Sequence, residues 1–340
     1  MKKLLIISLA LVTITSCSKD QTIEQPDPVA IEINDVFVNN STKANDISKD
    51  NLNDFGVYGF VKALNTNTEG LLFNNVKVSK SGTKYTYSPE QYWIGNAQYY
   101  FAAIAPFTNA KWGYSSTDAQ NGTITFNNQN AEANQDLLFA YTQPGVTPAT
   151  ITSANKPNAV GFSFGHMLSR IKFIFKNDFV SGSNISLKIT DITITDLQKE
   201  GSLAITNGVA GAWTVSDNAV AENVFAKVFG TAGTDETILA PQTEAATEHF
   251  YLIPANDKYN VTFKVALYQA GVLLANYNRT STVTLDMQKG NSYNIKANLN
   301  AQNTSENGEL FPIEFTVTGV DEWGSYSDVN TTVTNSSTNN

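Results

Sequence analysis

From Ile31 onward, apolar residues recur at every second position, and this alternation restricts the fold more than any other feature of the chain. Successive side chains of an extended strand point to opposite faces, so period two marks strands with one buried face. In the first half the pattern covers Ile31 to Val38, Phe55 to Val61, Tyr85 to Tyr87, Tyr99 to Ile104, Thr123 to Phe126 and Leu137 to Tyr141, with Asn/Gly/Ser-rich turns between. It returns at Tyr259 to Leu267, at Val283 to Met287, at Tyr293 to Leu299, and at Phe311, Ile313, Phe315 and Val317. No segment of ten or more residues carries a clear helical period. The chain therefore reads as all-β, and short strands at this spacing predict two tandem β-sandwich domains.

Residues 142–158, TQPGVTPATITSANKPN, hold three prolines and no period, which puts the domain boundary near their end. The expected organisation is a sandwich over 31–157, a second over 158–323, and a Ser/Thr/Asn-rich disordered tail over 324–340. Two phase changes stand out in the second half. Val160, Phe162, Phe164 and Leu168 alternate in one phase, whereas Ile171, Phe173 and Phe175 alternate in the other. In Ile185-Ser-Leu-Lys-Ile-Thr-Asp-Ile-Thr-Ile194, Leu187 and Ile189 are out of phase with Ile192 and Ile194. A one-residue slip inverts every side chain, so each change predicts a bulge or a crossing between sheets, the first of them near Ser169.

The first seventeen residues follow a different rule. Lys2 and Lys3 precede an apolar run from Leu4 to Ile14, too short to span a bilayer, and Ile14-Thr15-Ser16-Cys17 closes it. This looks like a lipobox, in which a thiol after small residues receives a diacylglyceryl group and cleavage follows in front of it. Cys17 is the only cysteine in the chain, so no disulfide framework exists and the single thiol lies where lipidation needs it. The reading implies a protein tethered to a membrane through lipid, with residues 18–30 as a polar tether.

The net charge is −9, and −11 without the first seventeen residues and their two lysines. That balance argues against nucleic acid and anionic lipid surfaces as partners. Catalytic material is scarce. His166 shares a strand phase with Phe162 and Phe164, and His249 precedes the run Phe250-Tyr-Leu-Ile253, so both read as structural. Neither has metal-ligand spacing to another histidine, cysteine or acid. Asp46, Asp50 and Asp54 recur every fourth residue but lack the glycine and spacing of an EF-hand, which favours a solvated loop. Tyr92, Trp93, Tyr99 and Tyr100 offer faces for stacking on sugars if exposed, although alternating aromatics are more often core.

Several stretches in order resemble the fimbrillin family, the lipoprotein-derived type V pilins of Bacteroidetes. They are the lipobox at Cys17, Phe55-Gly-Val-Tyr-Gly59, Phe164-Gly-His-Met-Leu-Ser-Arg-Ile171 followed by Ile185 to Leu197, the element Gly208 to Trp213, and the ending Asn291 to Asn300 with Ile313 to Trp323. The resemblance implies two tandem transthyretin-like sandwiches, no catalysis, no cofactor and no metal. It also implies a structural and adhesive fimbrial subunit at the surface of the outer membrane, whose partners are other pilin subunits and an unidentified host or bacterial surface ligand.

In family members a protease cuts after the first strand, and an extended segment of the next subunit fills the groove left behind. Carried onto this chain, the displaced strand is Ile31, Ile33, Val36 and Val38, and the donor is Leu310, Phe311, Ile313, Phe315 and Val317. The family's cut commonly follows arginine. Here the only arginines are Arg170 and Arg279, so the matching bond is Lys43–Ala44. That departure keeps a second reading open, a pilus anchor or stand-alone glycan-binding lipoprotein that retains its first strand. Cys17→Ala is expected to abolish acyl labelling and membrane fractionation, because no other thiol can accept the lipid; a labelled variant in the membrane pellet contradicts the lipobox.

Overall fold

The computed structural model describes residues 27–38, 51–107, 112–116, 118, 120–127, 136–198, 200–215, 220–227, 238–306, 308, 313–322 and 325–327. Over these residues the chain is all-β, and no α-helix occurs among them. The strands of the first half are β1 (Ile33–Val38), β2 (Asp54–Ala63), β3 (Thr68–Ser81), β4 (Lys84–Tyr87), β5 (Ala97–Ala105), β6 (Trp112–Ser116), β7 (Gly122–Asn127), β8 (Leu138–Thr142) and β9 (Val160–His166). There follow β10 (Ser169–Asn177), β11 (Ile185–Gln198), β12 (Glu200–Thr206), β13 (Val209–Val215), β14 (Val220–Lys227), β15 (Ile238–Leu239), β16 (Glu244–Ala246) and β17 (Phe250–Leu252). The last are β18 (Asn256–Gln269), β19 (Val272–Asp286), β20 (Asn291–Leu299), β21 (Phe315–Glu322) and β22 (Ser325–Ser327).

They form four sheets. A seven-stranded sheet runs β1-β9-β8-β5-β2-β3-β4, and a four-stranded one runs β13-β12-β7-β6. A six-stranded sheet follows β16-β10-β20-β21-β22 with β17 beside β10, and a five-stranded one follows β14-β11-β18-β19 with β15 beside β11.

Three apolar cores lie between these layers. One face of the seven-stranded sheet encloses Ile31, Phe55, Phe73, Tyr99, Phe101 and Phe162. Its other face meets the four-stranded sheet through Tyr58, Ile104 and Phe139 against Ile124, Phe126, Leu203 and Ile205. The six- and five-stranded sheets bury Phe173, Phe175, Phe263, Val283, Ile295 and Phe315 between them. The run Phe101 to Ala105 is buried on both faces, with Phe101, Ala103 and Ala105 on one core and Ala102 and Ile104 on the other. A strand covered on both sides reads as a continuous apolar run, as this one does.

Both phase changes have a structural cause. Phe162 and Phe164 belong to the first core, Met167 and Leu168 to the second, and Ile171, Phe173 and Phe175 to the third. The chain thus leaves one sheet for another just before Ser169. Within β11 the register against β18 shifts between Thr190 and Thr193, and Asp191 takes a positive φ of 51°. That left-handed residue is the bulge that turns Leu187, Ile189, Ile192 and Ile194 all inward. Gly59 has a different purpose, since a Cβ there would lie 2.6 Å from the Phe73 ring and 3.0 Å from Phe101. Its absence lets those two rings meet edge-on at 5.7 Å.

The sheet topology does not divide at 157/158. β9 lies beyond that position yet pairs with β1 and β8, and the β12–β13 hairpin returns to β7. The proline-rich stretch is a loop inside the first sheet, because its ends are held by β8 and β9. At the other end, Ser325–Ser327 of the expected tail pairs with β21 as β22. Main-chain hydrogen bonds suffice for such a strand, so apolar periodicity did not announce it.

Phe315 is 1% exposed and meets Phe173 at 5.8 Å, Phe263 at 6.0 Å and Phe175 at 6.3 Å. Phe315→Ala is expected to cost about 3 to 5 kcal/mol, read by chemical denaturation of the purified protein. A loss below about 1 kcal/mol would mean that this strand does not complete the third core.

Candidate functional site

β1 pairs parallel to β9, with Ile33 opposite Val160, Val36 opposite Phe162, Phe37 opposite Ser163 and Val38 opposite Phe164. The register shifts between Ile33 and Val36. The shift explains how Ile31 and Ile33 on one phase and Val36 and Val38 on the other all pack into the first core. Phe37, between the last two, is half exposed at 50%.

The segment is also held on the side away from β9. Ile31 donates its amide to Gln91 O at 2.8 Å, Trp93 donates to Val29 O at 2.9 Å, and Ala30 bridges antiparallel to Tyr92. The Tyr87 hydroxyl donates to Ile31 O at 2.6 Å. Burial pushes the Tyr87 phenol above its ordinary pKa, which keeps that donor protonated. The polar tether read over 18–30 therefore ends earlier, because Val29 packs on the core and Ala30 is hydrogen-bonded into place.

Residues 29–31 are thus bonded to residues 87–93, and residues 32–38 to β9. Ile31, Ile33 and Val36 are 2%, 3% and 1% exposed. Full burial of such side chains stabilises by about 1.5 to 3 kcal/mol each, or roughly 5 to 9 kcal/mol together. A whole domain is stable by only about 5 to 15 kcal/mol. Loss of this one strand removes an amount comparable to the net stability of the domain and opens an apolar groove flanked by main-chain donors and acceptors.

The C-terminal segment lies in the third core. Ile313, Phe315 and Val317 are buried there, and β21 pairs antiparallel with β20. Ser281 Oγ donates to Ile313 O at 2.7 Å. Arg279 is buried, stacks 4.7 Å over the Tyr277 ring, and donates to Asn303 O at 2.8 Å and Ser305 O at 2.7 Å. Asn300 and Asn303 fold that loop through reciprocal side-chain bonds to each other's amides. The turn that leads into the last strand is therefore pinned by a guanidinium.

Cys17, Lys43, Ala44, Leu310 and Phe311 lie outside the described residues, as do Asp46 and Asp50. Asp54 forms an ion pair with Lys77 at 3.0 Å. His166 Nδ1 lies 2.7 Å from Asp136 Oδ2, both side chains buried, in keeping with a structural role. Trp93 and Tyr99 are core residues in edge contact at 4.6 Å, Tyr100 is half-buried, and Tyr92 is 40% exposed. Among the described residues no group of three or more His, Cys, Asp or Glu is placed to hold a metal. Sequence reasoning missed Tyr87 and Arg279. A tyrosine at the end of a short strand and a lone arginine in a polar strand carry no signal of a specific partner; only the Asn-rich stretch Asn298 to Asn303 hinted at a constructed turn.

The site is an interface between strands on an all-β scaffold of layered sheets. A family model described as fimbrillin-like matches residues 42–318, and the chain belongs to that family. Membership makes it a surface protein of the fimbrial type. Among solved structures, the chain is similar to a candidate cell adhesion protein of Bacteroides uniformis, at 15% identity and a TM-score of 0.50, covering 87% of this chain and 98% of that one. A candidate cell adhesion protein of Bacteroides ovatus is 17% identical with a TM-score of 0.48, covering 89% and 99%. A fimbrial protein of Bacteroides ovatus is 11% identical with a TM-score of 0.31, covering 80% and 50%. At such identities the likeness concerns the fold. No curated protein matches the chain.

Tyr87→Phe removes the hydroxyl bound to Ile31 O while keeping the ring that packs on Phe73 at 5.1 Å. It is expected to lower stability by about 0.5 to 1.5 kcal/mol and to speed hydrogen exchange in residues 29–38 selectively. Uniform acceleration over the whole chain would contradict a local hold on the first strand.

Proposed function

We propose that the protein is a fimbrial subunit, exported as a lipoprotein through Cys17 to the outer membrane and assembled by strand exchange at the position of β1. The reading includes two transthyretin-like sandwich units as the building block. The observation that carries it is the manner in which residues 29–38 are held. Three buried apolar side chains, main-chain bonds to β9 along β1 and to residues 87–93 from its lead-in make a strand that another extended segment can replace bond for bond.

Cleavage between Lys43 and Ala44 would detach that strand with its lipid. The donor would come from Leu310, Phe311, Ile313, Phe315 and Val317, whose apolar alternation suits the positions vacated by Ile31, Ile33, Val36 and Val38. Because Ile313, Phe315 and Val317 occupy their own core in the monomer, donation requires β21 to leave β20. An emptied groove and a released strand would each expose unpaired main chain, which drives association of the cut subunit.

A second reading is favoured by the arginines. Arg170 and Arg279 are both buried, so an arginine-specific maturation protease has no accessible arginine anywhere in the chain. A chain that keeps β1 would act as an anchor or as a stand-alone surface lipoprotein. Trypsin treatment of the purified precursor separates the two. Strand exchange predicts multimers whose chains begin at Ala44, and their loss in Lys43→Ala. Multimers that still carry residues 31–38, or a cut protein that stays monomeric, would establish the anchor or stand-alone reading.

A further inference from the structure

A cleft of about 510 Å³ lies between the β12–β13 hairpin and the end of the β18–β19 pair, with the turn into β20 closing one side. Its walls include Trp213, Asp257, Asp286, Gln198, Gln288 and Lys289. None of the lining residues belongs to β1 or β21, so the cleft is separate from the strands that the assembly reading uses. We propose that this cleft binds a neutral pyranose unit of a glycan, stacked on Trp213 and hydrogen-bonded by Asp257, Asp286 and Gln288.

The walls are fixed before any ligand arrives. Trp213 is half-buried, donates its indole N–H to Met167 O at 2.6 Å, and meets Phe126 edge-on at 6.2 Å. Lys289 donates its ammonium to the carbonyl oxygens of Ala210 and Gly211, the latter at 2.8 Å. That lysine clamps the β13 hairpin of one sheet to the turn after β19 of another, so both sides of the cleft keep their separation. Preorganisation of this kind lowers the entropy lost on binding.

The chemistry of the walls selects the ligand class. A pyranose has an apolar C–H face and a rim of hydroxyls. An indole complements the first, while carboxylates and side-chain amides accept from and donate to the second. The volume falls within the range of small-molecule sites, about 300 to 1,000 Å³, and admits one or two sugar rings. Two carboxylates oppose a single ammonium whose donors are already directed to backbone carbonyls, and burial lowers the Lys289 pKa from its ordinary value. The surroundings therefore disfavour a uronate or sialate. Asp257 Oδ1 accepts from the Lys258 amide at 2.7 Å and Asp286 Oδ1 from Gln288 Nε2 at 3.2 Å, so each exposed carboxylate is oriented by one oxygen and offers the other to a hydroxyl.

Isothermal titration of the whole purified chain with the methyl glycosides of glucose, galactose, mannose and N-acetylglucosamine, and with lactose and maltose, tests the assignment. At least one is expected to bind. The double variant Asp257→Asn/Asp286→Asn, which preserves shape and substitutes exposed residues, is expected to weaken that binding at least tenfold. Trp213→Phe is expected to weaken it as well, while Tyr92→Ala, at an exposed aromatic outside the cleft, leaves it unchanged. Binding of none of these sugars, binding insensitive to the two aspartates, or preference for glucuronate or spermidine over every neutral sugar would overturn the proposal. Calorimetry on uncut monomer reads the cleft alone, so its failure is distinguishable from failure of the assembly reading, which multimer growth reports.

Discussion

The parallel pairing of β1 with β9, together with the burial of Ile31, Ile33 and Val36, completes the first core of the molecule. The strand comes from the far N-terminal end of the described chain, whereas β9 follows more than a hundred residues later. That long loop closure costs entropy, and the apolar contacts it brings together must offset it. The Tyr87 hydroxyl and the amides of Ile31 and Trp93 hold the lead-in at residues 29–31, so the segment has a second anchor besides β9 without belonging to a hairpin. A strand with no covalently adjacent partner is the one that can leave without unravelling a turn.

The rest of the architecture makes such a departure local. The four-stranded sheet covers the opposite face of the seven-stranded one, and its core of Ile104, Ile124, Phe139, Leu203 and Ile205 does not include β1. The third core lies between other sheets again, tied to the first by the short passage through Met167 and Leu168. Opening the first core therefore leaves two others intact. The buried Asp136–His166 contact at 2.7 Å stands beside that passage. Groups that would be costly to bury alone are there satisfied by one another.

Much of this was legible in the sequence. Strict alternation identified β9, β10, β18 and β20, since each has one face on a core. The two phase inversions located the sheet crossing and the Asp191 bulge, because a register slip leaves a direct trace in the pattern. Alternation failed where burial did not alternate. β3 is exposed on both faces over its first four residues, and β13 is exposed or half-exposed throughout, so neither advertises itself. The pairing of β12 with β7 and of β9 with β1 was also invisible, for the pattern says which face is buried and nothing about which strand lies alongside. The proline-rich stretch misled for the same reason, since a loop within a sheet and a linker between domains share one composition. The cleft at Trp213 and Lys289 arises from elements distant in sequence and had no linear signature.

If subunits join by strand exchange, the first strand must leave its groove. Phe37 and Ser163 are direct register partners across β1 and β9, both facing solvent. The double variant Phe37→Cys/Ser163→Cys places two thiols within reach of a disulfide between neighbouring strands. Assembly of this variant after trypsin treatment, followed by size-exclusion chromatography in oxidising and reducing buffer, reads the claim directly. Strand exchange predicts monomer while the disulfide holds and multimers once it is reduced; equal multimer growth in both buffers would show that β1 stays in place and that subunits join by another surface.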